Sequence, residues 1–169
     1  MYQVNDVVIY GTHGVCKIEE LVVKRVSGTE KKYYVLKPLG NGGITLFAPV
    51  DNAAVLAKIR RVLSKEEIRG LVAAASETEL CWIAHEAERK EQFRSIIAGG
   101  DHKAMIQMIR LIWTQKQQRE AEGKRLHVSD AHFMKEAEQL LYEEFQYVLE
   151  IGKQDLIHYI FHPEEEISV

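Results

Sequence analysis

An indole set among cations is the arrangement in this sequence best suited to chemistry, and that chemistry is recognition rather than bond-making. Trp82 is followed by Arg89, Lys90 and Arg94. On a helix advancing 100° per residue, Trp82, Glu86, Arg89, Phe93 and Ile97 share one face. A partly exposed Trp among cations can wedge or stack at an unpaired base step while phosphates hold the helix in place. The competing reading makes Trp82 a core residue near a helix start, which the apolar periodicity fits equally well. Trp113 aligns with the stripe Met105, Met108, Ile109 and Ile112 and reads as core. Lys116, Arg119, Lys124 and Arg125 form a second basic cluster, either phosphate-facing or a solvated helix surface.

Catalytic signatures are missing from the sequence. His158 and His162 have i, i+4 spacing, but no His-Glu-x-x-His motif accompanies them. His85-Glu86 reads as a surface pair. Gly40-Asn41-Gly42-Gly43 lacks the Lys-Ser/Thr of a phosphate loop and reads as a hairpin loop. No Gly-x-Ser-x-Gly or Cys/His nucleophile pattern occurs. The expectation is a non-enzyme with no cofactor, no metal and no small-molecule substrate.

The elements that must carry the indole divide the chain in two. Residues 1–63 alternate with the period of strands. Val7, Val8, Ile9 and Tyr10 form one strand, stopped by Gly11 to Gly14, and Val15 restarts the alternation through Leu21. A turn at Val26 to Glu30 precedes a third strand over Lys31 to Lys37. Pro38 to Gly43 reads as a loop, Ile44 to Ala48 as a fourth strand ended by Pro49, and Ala53 to Lys58 as a helical turn. Ile59 to Leu63 closes the sheet. Five short, bent strands imply a small SH3- or Tudor-like β-barrel, whose open edge is where partner strands add.

From Ser64 the period becomes 3.6. Ser64-Lys65-Glu66-Glu67 is a capping box that opens a helix to Ala75. Ser76-Glu77-Thr78-Glu79 repeats the signature and predicts a second helix, ended by Gly99-Gly100. Asp101 caps a third, which Gly123 stops. Ser129 or Asp130 caps a fourth, and Gln154 to Phe161 makes a short fifth. The tail Glu164-Glu165-Glu166 is expected to fray. The fold class is therefore α+β with two domains: a five-stranded barrel over 1–63 and an all-α bundle of about five helices over 64–169.

Of the 169 residues, 46% are hydrophobic and 28% charged, an ordinary foldable composition. No apolar run is long enough to span a membrane, and the first residues lack the basic head and apolar stretch of a signal peptide. A cytoplasmic protein without a membrane partner is expected. Cys16 and Cys81 read as buried thiols in a reducing compartment rather than a disulfide. The net charge of -3 is unevenly spread. Residues 1–63 hold nine Lys/Arg against five Asp/Glu, and 64–169 hold thirteen against twenty. Within the latter, Arg89 to Arg125 holds nine basic against four acidic residues. A basic middle between acidic flanks suits a local phosphate contact, not indiscriminate DNA coating.

Several stretches together resemble the CarD family of bacterial RNA polymerase-binding regulators, whose amino-terminal module is shared with the transcription-repair coupling factor. They are Asp6 to Tyr10 with His13-Gly14-Val15, Tyr33 to Pro38, and Ala48 to Asn52. In the helical part, Trp82, Arg89, Phe93, Ala98 to Asp101 and Ala137 to Leu149 are similar to the clostridial form. The resemblance implies a Tudor-like domain that binds the RNA polymerase β subunit through its sheet. It also implies a helical domain lying on promoter DNA at the upstream edge of the melted region. There a Trp wedges into the minor groove and slows bubble collapse, stabilising the open complex.

On this likeness the polymerase-binding residues are Lys24, Arg25, Thr45, Leu46, Phe47 and Pro49. The DNA-binding residues are Trp82, Arg89, Lys90, Arg94, Lys116, Arg119, Lys124 and Arg125. Two departures stand out. Phe47 occupies a position where some relatives carry Arg. Trp82 lies about one helical turn ahead of the wedge Trp of actinobacterial relatives, whose place falls on Glu86. The alternative function is a protein-interaction adaptor whose helical domain never touches DNA.

Overall fold

The computed structural model describes residues 1–40 and 43–164. The chain divides into two compact units, Met1–Leu63 and Ser64–Val169.

The first unit is a five-stranded antiparallel sheet in the order β4-β3-β2-β1-β5. Its strands are β1 (Val7–Tyr10), β2 (Val15–Val26), β3 (Thr29–Pro38), β4 (Leu46–Pro49) and β5 (Ile59–Arg61). A 3-10 turn, Gly11–His13, joins β1 to β2. A short helix α1 (Ala53–Leu56) leads into β5, and the Asn52 side chain accepts hydrogen bonds from the Ala54 and Val55 amides at its start. The five expected strands form one open sheet, with the expected open edge at β4. No ladder joins β4 to β5 among the described residues.

The strand period explains which side chains are buried. Val8, Cys16, Ile18, Tyr34, Leu36, Ala48 and Ile59 form the core, with Tyr2 and Leu46 packed against it. The register between β2 and β3 shifts between Ile18 and Glu20, a bulge that puts an extra residue into β2. Such a bulge bends the strand and increases its twist. Beyond it Leu21 and Val23 are exposed. β2 and β3 therefore run as a long hairpin past the core. Pro38 belongs to β3 and is buried rather than opening a loop, and β4 starts at Leu46, two residues later than predicted. Asn41 and Gly42 of the predicted hairpin loop lie outside the described residues, as do Glu165 and Glu166 of the predicted tail.

The second unit holds α2 (Lys65–Glu77), α3 (Glu86–Gly99), α4 (His102–Ala121), α5 (Val128–Leu149) and α6 (Asp155–Phe161). The Ser64 capping box forms at α2: Ser64 Oγ accepts from the Glu67 amide at 3.1 Å, and the Ser64 amide donates to Glu67 at 2.8 Å. The second predicted capping box does not form. Ser76 Oγ donates to the Ala73 carbonyl at 2.6 Å, so the hydroxyl serves the helix behind it and α2 runs on to Glu77. Residues 78–85 are then an irregular connection, extended at Thr78 and His85, and α3 starts at Glu86. Gly100, at φ 67°, ends α3 in the left-handed conformation that glycine adopts without a Cβ penalty. Asp101 caps α4 by accepting from the Lys103 amide. Phe93, Ile106, Met108, Ile109, Ile112, Leu141 and Phe145 are among the fully buried side chains of this unit. Cys16 is buried in the sheet core, whereas Cys81 is exposed, contrary to expectation.

Candidate functional site

Trp82 stands on the irregular connection, not on a helix, so the shared helical face with Glu86 and Ile97 does not exist. What fixes the indole is Arg89, one turn inside α3. The Arg89 side chain is 2% exposed, and its Nε and Nη2 donate to the two carboxylate oxygens of Asp130, each at 2.9 Å. Its Nη1 donates to the carbonyls of Ile83 at 2.9 Å and Ala84 at 3.3 Å. The guanidinium carbon lies 4.4 Å from the Trp82 ring centroid. Arg89 is therefore unavailable to phosphate. It was expected to contact DNA as a cation beside Trp82; its charge is instead turned inward by a carboxylate 41 residues away.

Asp130 is the residue that sequence reasoning missed. Its position in the first turn of α5 suggested a cap, but that helix begins at Val128 with His127 as its N-cap, and Asp130 is fully buried. A buried carboxylate needs a paired partner, and a bidentate guanidinium meets that need best. Behind the pair the rings of Trp82, Phe93 and Phe133 form a chain, with centroids 6.5 and 5.7 Å apart. The other end of the connection is tied by Gln107, whose side-chain amide donates to the Thr78 carbonyl at 2.7 Å. Trp82 is thus half-buried, held from behind at both ends of its segment.

The remaining cations fall into two groups. Lys90 and Arg94 line an open surface groove with His85, Glu86 and Ala87 at the start of α3. Lys116, Arg119, Lys124 and Arg125 gather at the end of α4 and the turn after it. Acidic neighbours accompany most of them: Lys90 with Glu86 at 2.7 Å, Arg94 with Glu91 at 3.3 Å, Lys116 with Glu120 at 4.0 Å, and Lys124 with Glu122 at 3.2 Å. The hydrogen bond from Lys90 holds the Glu86 carboxyl below the usual carboxylate range. Arg119 Nε donates to the Arg125 carbonyl at 2.8 Å, which folds the turn back onto α4. Trp113 is half-buried, with the Lys116 ammonium 5.1 Å from its ring centroid.

On the first unit, β4 is an edge strand made of Leu46, Phe47, Ala48 and Pro49. Proteins guard edges with charge, and the opposite edge, β5, carries Arg60 and Arg61. β4 carries none. Phe47 is 43% exposed, and the Lys24 ammonium sits 3.4 Å from its ring centroid. Arg25 and Thr45 are exposed nearby in sequence to these residues, on β2 and just before β4. A cation from β2 thus lies across the ring face of Phe47.

No group of three or more His, Cys, Asp or Glu among the described residues is arranged to hold a metal ion. His158 and His162 stack at 5.0 Å between ring centroids. A cleft of about 100 Å³ between α2, α4 and α6, lined by Thr78, Gln107, Arg110 and Phe161 among others, is below the size of ordinary small-molecule sites. No helix among the described residues is long and apolar enough to cross a membrane.

Residues 2–63 match the model of the CarD-like/TRCF RID domain family, a Tudor-like domain. The match ends where the first compact unit ends. A domain of this kind points to an RNA polymerase-interacting transcription factor.

Proposed function

We propose that this protein is a non-enzymatic transcription regulator of the clostridial CarD type, which binds the RNA polymerase β subunit with its first unit and promoter DNA with its second. The carrying observation is the family match over a sheet whose β4 edge is apolar and carries no charge. A strand of the polymerase would add along β4, with Leu46, Phe47 and Pro49 supplying apolar contact and Lys24, Arg25 and Thr45 the polar rim. The helical unit then meets the duplex at the upstream edge of the bubble. Trp82 is the wedge, and Lys90, Arg94, Lys116, Arg119, Lys124 and Arg125 face phosphates. Arg89 has no part in direct contact. A protein that binds open promoter better than closed shifts the equilibrium by its differential affinity, without ATP.

The test is co-purification with RNA polymerase β, which the double charge reversal Lys24→Glu/Arg25→Glu is expected to abolish. Absence of binding by the unaltered protein at micromolar concentration would overturn the reading. The adaptor reading, in which the helical unit docks another protein, is favoured by the carboxylates that flank four of the surface cations. Open-complex lifetime on a promoter separates the two. Trp82→Ala should shorten it severalfold if the indole props the duplex, and an unchanged lifetime selects the adaptor.

A further inference from the structure

Arg89 ties the Trp82 segment to α5. Asp130 takes two nitrogens, and the carbonyls of Ile83 and Ala84, directly after the indole, take the third. The flat guanidinium meanwhile backs the ring at 4.4 Å. A core that needed only filling would be served by an apolar side chain, since a buried ion pair rarely outperforms well-packed hydrocarbon in stability. What an Arg at this position adds is direction: donors fixed in one plane against one conformation of an irregular segment.

We propose that Arg89, oriented by Asp130, is a positioning residue that sets the pose of Trp82 for nucleic acid. The pair lies wholly inside the helical unit, so the pose is fixed before any partner is met. A wedge that arrives pre-ordered loses less side-chain entropy on insertion than one that must be ordered at the duplex. This inference rests on the DNA reading of Trp82 for its purpose, but not for its structural content.

The experiment uses the full chain in a Trp113→Phe background, so that all tryptophan fluorescence comes from Trp82. Three variants are compared by acrylamide quenching, fluorescence anisotropy and urea unfolding. Arg89→Lys keeps a charge beside Asp130 but lacks the Nη1 that reaches the Ile83 and Ala84 carbonyls. Arg89→Met/Asp130→Leu replaces the pair by hydrocarbon and keeps the variant folded should a single change fail. Asp130→Asn keeps the shape and removes the charge. The expected result is at least a twofold rise in the quenching constant of Trp82 and a lower anisotropy in the first two, in folded protein, with a smaller change in the third. Open-complex lifetime with polymerase should then fall toward that of Trp82→Ala, while polymerase co-purification stays intact.

Unchanged quenching and anisotropy in a folded Arg89→Met/Asp130→Leu protein would overturn the inference. A loosened Trp82 with undiminished lifetime would overturn its role at the duplex. If Trp82→Ala itself leaves the lifetime unchanged, the DNA reading fails instead, and the fluorescence arm alone decides whether Arg89 sets the pose.

Discussion

At the scale of single residues, burial separates cations that can meet phosphate from one that cannot. Arg89 and Asp130 are a buried pair with each charge answered, so removing one partner strands the other. Arg89→Ala is expected to cost about 3–5 kcal/mol in urea unfolding, whereas Arg89→Met/Asp130→Leu should lie within about 1–2 kcal/mol of the parent. Glu138 offers a second residue-level test. Burial pushes its carboxyl above the usual range, against the opposing pull of Lys153 and Lys116. The folded chain therefore holds that proton more tightly than the unfolded chain does. Stability from this group is lost as pH rises from the ordinary carboxyl value through the folded one. Glu138→Gln should raise the urea midpoint at about pH 7, with the gain shrinking toward about pH 4.

At the scale of elements, the period-2 and period-3.6 patterns marked where strands and helices lie, because burial on one face forces that spacing. The Ser64 box could be read directly, since cap and reciprocal partner are three residues apart. Its removal by Ser64→Ala should cost about 1 kcal/mol, measurable by urea unfolding. The Ser76 signature misled because a serine has two uses, and its hydroxyl bonded backward to Ala73 rather than forward. With no cap at Ser76, α2 runs on to Glu77, Trp82 lies in the non-helical connection and α3 starts at Glu86. The Arg89–Asp130 contact was invisible for another reason: nothing local ties residues 41 positions apart. On the sheet, β4 was legible as a strand, though read as starting two residues early, and an open edge was expected. Phe47→Asp, at an exposed site, should leave stability within about 0.5 kcal/mol and abolish polymerase co-purification.

At the scale of the whole molecule, the carboxylates beside Lys90, Arg94, Lys116 and Lys124 weaken any attraction to naked DNA. Isolated protein is expected to show no binding to fork-junction promoter DNA at micromolar concentration by fluorescence anisotropy. With polymerase present, the sheet unit would hold the helical unit at high effective concentration beside the duplex, and binding should appear. Lys24→Glu/Arg25→Glu would then abolish DNA engagement without altering any residue proposed to face phosphate. The two cysteines bear on how this can be observed. Cys16 is fully buried and Cys81 is exposed, immediately before Trp82. A maleimide photoprobe added to the unmodified polypeptide would thus attach next to the indole and report whether nucleic acid lies against it.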